Sequence, residues 1–356
     1  MIAIEAHNVS KQFGTVKANE EINFSVHVGE IHALVGENGA GKSTLMNLLY
    51  GIYQPDTGEI RVNGNAVHLK SPATAIALGI GMVHQHFMLV PPLTVAENII
   101  LGNEPVQTFG ILNLKAAEQE IQSLSDAYKF NVRPGNVVGS LSVGTQQRVE
   151  ILKLLYRKAE IVILDEPTAI LTPGEVDELF AILRKLKSEG KTVIFISHKV
   201  KEILSISDRV TVMRKGRVIQ TLETGSTNAD ELARIMVGKE IPAEVPKANV
   251  STRSKVVVVK SLGCLNARKF AALKDISFAI HGGEILGIAA VEGNGQTELV
   301  EVLTGLRSKS SGTISVNNIE IDPADRVTPV AHIPEDRLKH GLVMDFSLEE
   351  IGRAHV

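Results

Sequence analysis

The sequence predicts an α/β fold, present once in full and a second time in part. Three features predict it: an apolar strand running into a glycine-rich loop and a helix at 30–50, aliphatic strands at 161–164 and 192–196 that end in polar residues, and an internal repeat. At roughly 100–200 residues per domain, a chain of 356 residues starts from an expectation of two domains. Hydrophobic residues make up 44% and charged residues 22%, the balance of an ordinary globular protein rather than a disordered one. The net charge is -3, from 37 basic and 40 acidic side chains, which gives no support to a broad nucleic-acid or anionic-lipid surface. The single Cys264 rules out a disulfide framework and a zinc site built on several thiolates. The opening MIAIEAHNVSK has no basic segment followed by an apolar core, so no signal peptide is expected there. The most apolar stretch, Ala73 to Val83, is too short to cross a bilayer. The expectation is a soluble, cytoplasmic, reduced protein.

The repeat sets the organisation. Residues 22–41 read INFSVHVGEIHALVGENGAG and residues 276–295 read ISFAIHGGEILGIAAVEGNG, at a constant offset of 254. Register continues with Leu303 and Gly305 on Leu49 and Gly51, and Gly312 on Gly58. This is a duplication. The first copy covers 1–240, the aperiodic stretch 241–254 (IPAEVPKANVSTRS) reads as a linker, and 255–356 is the N-terminal part of a second copy.

Within the first copy, Glu30 to Val35 is a short apolar run that fits a buried strand. It leads into Gly36, Glu37, Asn38, Gly39, Ala40, Gly41, Lys42 and Ser43, a full match to G-x-x-x-x-G-K-[ST], and then Thr44 and helix-forming leucines. Glycines allow backbone angles at which successive N–H groups point into one cavity, and the helix N-terminus adds a dipole that favours anions. Lys42 is placed to reach the β- and γ-phosphates of a nucleoside triphosphate, and the Ser43 hydroxyl to ligate Mg2+.

The aliphatic run Ile161 to Leu164 ends in Asp165 and Glu166. A buried parallel strand has this look, and its C-terminal end is where α/β sheets place ligands. Asp165 is the expected magnesium ligand, directly or through water, and Glu166 the expected general base for an attacking water. A second strand, Thr192 to Ile196, ends in Ser197 and His198, and His198 is expected to hydrogen-bond the γ-phosphate and orient that water.

Taken together, the phosphate loop, Gln85, the stretch Leu141-Ser142-Val143-Gly144-Thr145-Gln146-Gln147-Arg148, Leu164-Asp165-Glu166-Pro167-Thr168 and His198 resemble the ATPase domain of ABC transporters. The resemblance covers the first copy and the present part of the second. It implies a P-loop NTPase fold with a helical signature subdomain, and ATP and Mg2+ as cofactors. It further implies that Phe13 stacks on adenine, that Gln85 senses magnesium and contacts a membrane partner, and that Ser142 and Gly144 cap the γ-phosphate held by the opposite domain. Each residue also has a plainer reading. Phe13 fits a core aromatic, Gln85 a surface residue, and Ser142 a helix N-cap. The pair His84 and His86 invites a metal reading, but two histidines without an acidic or thiolate cluster are a weak set. Val143 and Thr145 depart from the common LSGGQ signature, and Thr172 stands where the loop after the carboxylate strand usually carries an aspartate.

In the second copy Ala290 falls on Gly36, Gly295 on Gly41, Gln296 on Lys42, Thr297 on Ser43 and Glu335 near Gln85. A neutral amide cannot supply the charge of the lysine, so a weak or inactive second site is expected. The tandem layout, the lost lysine and the segment His84 to Asn98 are similar to the sugar- and nucleoside-importer branch. That resemblance implies transmembrane permease subunits, an extracytoplasmic substrate-binding lipoprotein reached through them, and a peripheral place on the cytoplasmic face of the membrane. It also implies that a second ATPase half, in cis or in trans, completes the composite site, and that nucleic acid is not a partner. Two other readings stand beside it: a soluble tandem ABC ATPase acting on ribosome or nucleic acid, and an ATP-binding fragment that does not couple.

Overall fold

The computed structural model describes residues 1–85, 87–106, 112–169, 171–238, 254–266, 269–290, 293–321, 330–334 and 341–353. The chain divides into two compact units, Met1–Ala243 and Glu244–Val356. The stretch 241–253 lies outside the described residues, as do His86 and Glu335.

The first unit opens with β1 (Ile2–Phe13) and β2 (Val16–His27), a hairpin, followed by β3 (Ile31–Val35) and α1 (Lys42–Leu49). Next come β4 (Thr57–Val62), β5 (Asn65–Val67), α2 (Pro72–Ala77) and β6 (Ile80–Val83). A helical stretch holds α3 (Val95–Ile100), α4 (Leu114–Ala127) and α5 (Val143–Tyr156). The chain returns through β7 (Ile161–Asp165), α6 (Pro173–Ser188), β8 (Thr192–Ile196), α7 (Val200–Ile206), β9 (Arg209–Arg214), β10 (Arg217–Glu223) and α8 (Ala229–Val237).

Two sheets organise this unit. One is antiparallel in the order β2-β1-β4-β5, and the other runs β10-β9-β3-β8-β7-β6, parallel apart from β10. Every residue of β3, β7 and β8 is buried, which is why these strands read as unbroken apolar runs. Their side chains still alternate. Ile161, Ile163, Ile194 and Ile196 pack with α1 and the antiparallel sheet, whereas Val162, Leu164, Val193 and Phe195 pack with α3, α5 and α6. The parallel sheet is thus covered on both faces.

Helix starts follow local side-chain chemistry. Thr94 with Glu97, and Thr172 with Glu175, form capping boxes at α3 and α6, and Pro173 sits in the first turn of α6. The Ser142 hydroxyl caps α5 by accepting from the Thr145 N–H at 3.3 Å.

The second unit holds β11 (Lys255–Leu265), β12 (Ala271–His281), α9 (Gln296–Leu303), β13 (Ser311–Val316), β14 (Ile319–Ile321) and α10 (Leu348–Arg353). Its sheet, in the order β12-β11-β13-β14, repeats the antiparallel sheet of the first unit, and α9 repeats α1. The counterpart of β3 differs. Residues 284–290 belong to no strand, and Ile285 is 97% exposed where Ile31 is fully buried. In the first unit β3 is held between β8 and β9, whereas among the described residues of the second unit 284–290 has no strand partner.

Candidate active site

The phosphate loop is shaped by two left-handed glycines, Gly39 (φ 80°) and Gly41 (φ 95°). Only glycine fits at 41, because a Cβ there would lie 2.3 Å from the Ala18 carbonyl and 2.7 Å from Asn19 Nδ2. That crowding is the seat of the loop: buried Asn19 donates its amide to the Gly41 carbonyl at 3.1 Å, and the Gly216 N–H donates to the Ala40 carbonyl at 3.1 Å. Asn19 was not singled out by the sequence, and its only signal is a polar residue on a strand that packs inward.

Lys42 is the first residue of α1 and is 6% exposed. Its ammonium arches over the loop, donating to the carbonyls of Gly36 at 2.9 Å and Glu37 at 3.0 Å. Burial pulls its pKa down, while the nearby charges of Glu166 and Asp165 push it back up. Ser43 and Thr44 follow on the first turn of α1.

Asp165 ends β7, 7% exposed. Burial raises its pKa, a hydrogen bond from Ser43 lowers it, the Glu166 charge raises it and Lys42 lowers it. A buried carboxylate joined to a hydroxyl, beside a lysine, is a set of hard oxygen donors. Such a set suits Mg2+, which takes oxygen ligands and usually keeps a phosphate in its shell. Among the described residues no cluster of three or more His, Cys, Asp or Glu could hold a metal.

Glu166 adopts a left-handed backbone (φ 48°), uncommon for a residue with a side chain, and its N–H donates to the Ile196 carbonyl at 3.1 Å. This turn out of β7 leaves its carboxylate 3.4 Å from His198 Nδ1, on the loop after the neighbouring strand β8. Glu166 is largely covered and His198 half-exposed. Gln85 is exposed two residues beyond β6, whose Val83 pairs with Leu164 of β7, so it shares the sheet edge of Asp165.

The structure therefore gathers Gly36–Thr44, Asp165, Glu166 and His198 at one edge of the parallel sheet. Ser142 and Gly144 belong elsewhere: among the described residues no hydrogen bond joins them to 36–44. Gly144 lies under the Glu175 carboxylate, where a Cβ would come within 2.1 Å of Oε1. Phe13 is 41% exposed, edge-on to Tyr53 at 5.1 Å and 5.6 Å from the Lys11 ammonium, so it is a surface ring rather than a core one. His84 packs edge-on against Tyr50, and His86 lies outside the described residues.

In the second unit, Gly295 keeps the φ of 95° found at Gly41 and caps α9 as Gly41 caps α1, with Gln296 in place of the lysine.

Comparison with known proteins gives this geometry a family. The family described as ABC transporter matches residues 19–169. The guanosine import ATP-binding protein NupO of Bacillus subtilis (strain 168) is 52% identical over 354 residues, covering 98% of this chain and 69% of that protein. The nucleoside import ATP-binding protein NupA of Lactococcus lactis subsp. cremoris (strain MG1363) is 47% identical, with 98% and 69% covered. A ribose import ATP-binding protein of Lactococcus lactis subsp. lactis (strain IL1403) is 42% identical, with 98% and 70% covered. Among solved structures, the ADP conformation of an ATP-binding cassette of an ABC transporter matches with a TM-score of 0.59 at 26% identity, over 67% of this chain and 100% of that one. A phosphate loop, two carboxylates and a histidine on one sheet edge, within a chain that is half identical to import ATPases, place this protein in the family of ABC transporter ATP-binding proteins.

Proposed function

We propose that this ATPase powers uptake of a nucleoside through a membrane permease, at the cytoplasmic face of the membrane and with Mg2+ as cofactor. Relatives named for guanosine and nucleoside import favour that substrate class, and a simple sugar is the second choice because a ribose importer follows at lower identity. The observation that carries the reading is the meeting of Lys42, Asp165 and Glu166 at one sheet edge. In this reading 1–240 is a complete ATPase domain, 241–254 a linker and 255–356 part of a degenerate second domain. A substrate-binding lipoprotein delivers cargo to the permease. The relatives' names do not favour action on ribosome or nucleic acid.

The loop N–H groups and Lys42 hold the β- and γ-phosphates, and Phe13 offers its exposed face to the adenine. Ser43, Asp165 and Gln85 would hold Mg2+, which would supply positive charge to neutralise the phosphates. Glu166 accepts the proton of the attacking water, and His198 keeps that water and carboxylate aligned. Ser142 and Gly144, at the N-terminus of α5, cap a phosphate held by a second ATPase half, which must be supplied in cis or in trans.

A groove of about 250 Å³ is lined by Tyr50, Ile76, His84, Met88, Glu150, Lys153 and Arg157. It lies beside the segment after Gln85, and we assign it to the permease. Its mixture of apolar and charged lining residues suits an amphipathic helix.

Reconstituted with its permease in vesicles, the protein is expected to couple ATP hydrolysis to guanosine uptake. Lys42→Ala abolishes ATP binding and both activities. Glu166→Gln keeps ATP binding and lowers hydrolysis by about 10²–10⁴-fold, the usual worth of a general base. Unchanged phosphate release in Glu166→Gln overturns the assignment.

A further inference from the structure

One turn of α5 carries two buried polar residues that the site described above does not use. Gln147 is 2% exposed and donates its side-chain amide to the carbonyl of Pro167 at 2.6 Å. Pro167 follows Glu166, whose left-handed backbone sets the direction of the catalytic carboxylate. Glu150, three residues on and 4% exposed, accepts the N–H of Met88 at 2.8 Å, just beyond Gln85. Met88 and Glu150 also line the groove beside that segment. Residues i and i+3 share a helix face, so one rigid turn is fastened at one end to the groove and at the other to the carboxylate strand. Among the described residues the buried Gln147 carbonyl oxygen has no hydrogen-bond partner, a cost that an apolar side chain of similar length would avoid. The amide is held there for its donor.

We propose that Gln147 and Glu150 are positioning residues that transmit the state of the groove to Glu166: whatever seats in the groove shifts Met88 and Glu150, α5 moves as a body, and Gln147 carries the Pro167 carbonyl with it. This rests on the importer-ATPase reading. The relay acts on hydrolysis and leaves the Lys42 loop alone, because neither residue touches 36–44.

The test is steady-state ATP hydrolysis by the full chain in the reconstituted permease complex, with ATP KM and kcat measured separately. Q147M and E150M are expected to lower kcat at least tenfold with KM within twofold of the wild type. E150Q, which keeps an oxygen to accept the Met88 N–H, is expected to lose less kcat than E150M. The double variant Q147M/E150M falls no further than the worse single, since both break one relay. Q147E, equal in size but without the amide donor, matches Q147M and covers the case in which Q147M fails to fold. Hydrogen exchange at the Met88 amide needs no activity: it is fast in E150M and protected in E150Q. The proposal is overturned if the Gln147 variants that fold keep kcat within twofold of the wild type, if E150Q is as impaired as E150M, or if the two single losses multiply in the double variant. The underlying reading fails separately, through wild-type complex that does not hydrolyse ATP or hydrolysis that survives Lys42→Ala.

Discussion

Gly144 shows how closely a proposed role and stability can share one residue. Its Cα lies against the Glu175 carboxylate, and the other oxygen of that carboxylate accepts from the Thr172 N–H at 3.0 Å and hydroxyl at 2.9 Å. An alanine at 144 must push Glu175 aside and so dismantle the capping box of α6. Loss of such a cap costs about 0.5–2 kcal/mol, and Gly144→Ala is expected to lower stability by that amount in thermal unfolding. Glu175→Ala removes both the clash and the cap. The double variant Gly144→Ala/Glu175→Ala should therefore be no less stable than Glu175→Ala alone. A further drop of more than 1 kcal/mol in the double would put the clash elsewhere.

At the scale of elements, the strands that end in chemistry are the most deeply buried. Phe195 of β8 is fully buried and packs edge-on against Phe180 of α6 at 5.9 Å, one residue before the strand end that leads to His198. Phe195→Ala is expected to cost about 3–5 kcal/mol, read as a lower urea midpoint, because the sheet and α6 cannot close the space. A cost below about 1 kcal/mol would mean that the helix layer collapses onto the sheet. These strands were legible in the sequence as aliphatic runs with polar ends, and the loop between β3 and α1 was legible as an eight-residue match. Residues whose work depends on distant partners were not. Glu150 serves Met88 without any local pattern to mark it, Asn19 serves Gly41 with only an inward-facing polar position as a signal, and Gln147 lies in the stretch 141–148 but nothing there points to its partner Pro167. The left-handed turn at Glu166 was equally hidden, since neighbouring strands rather than its own residue type impose it.

Over the whole molecule, the repeat in the sequence is a repeat in structure for the antiparallel sheet and the helix after the glycine-rich loop. The two antiparallel sheets correspond strand for strand, whereas the parallel sheet exists once among the described residues. Amide exchange is expected to report this directly. Residues 31–35, buried between β8 and β9, should exchange slowly, and residues 285–289 quickly. Equal protection of the two segments would show that 285–289 has acquired strand partners.

That contrast also has a meaning in time. Hairpins such as β1–β2 pair residues that leave the ribosome together. In the first unit, the nascent Ile31–Val35 segment must wait for β8, which ends at Ile196. At a synthesis rate of ~5–20 residues per second, that wait is on the order of 8–30 s. For that interval an aliphatic strand sits on a finished sheet with nothing on either side of it, which makes it a natural client for a chaperone during translation.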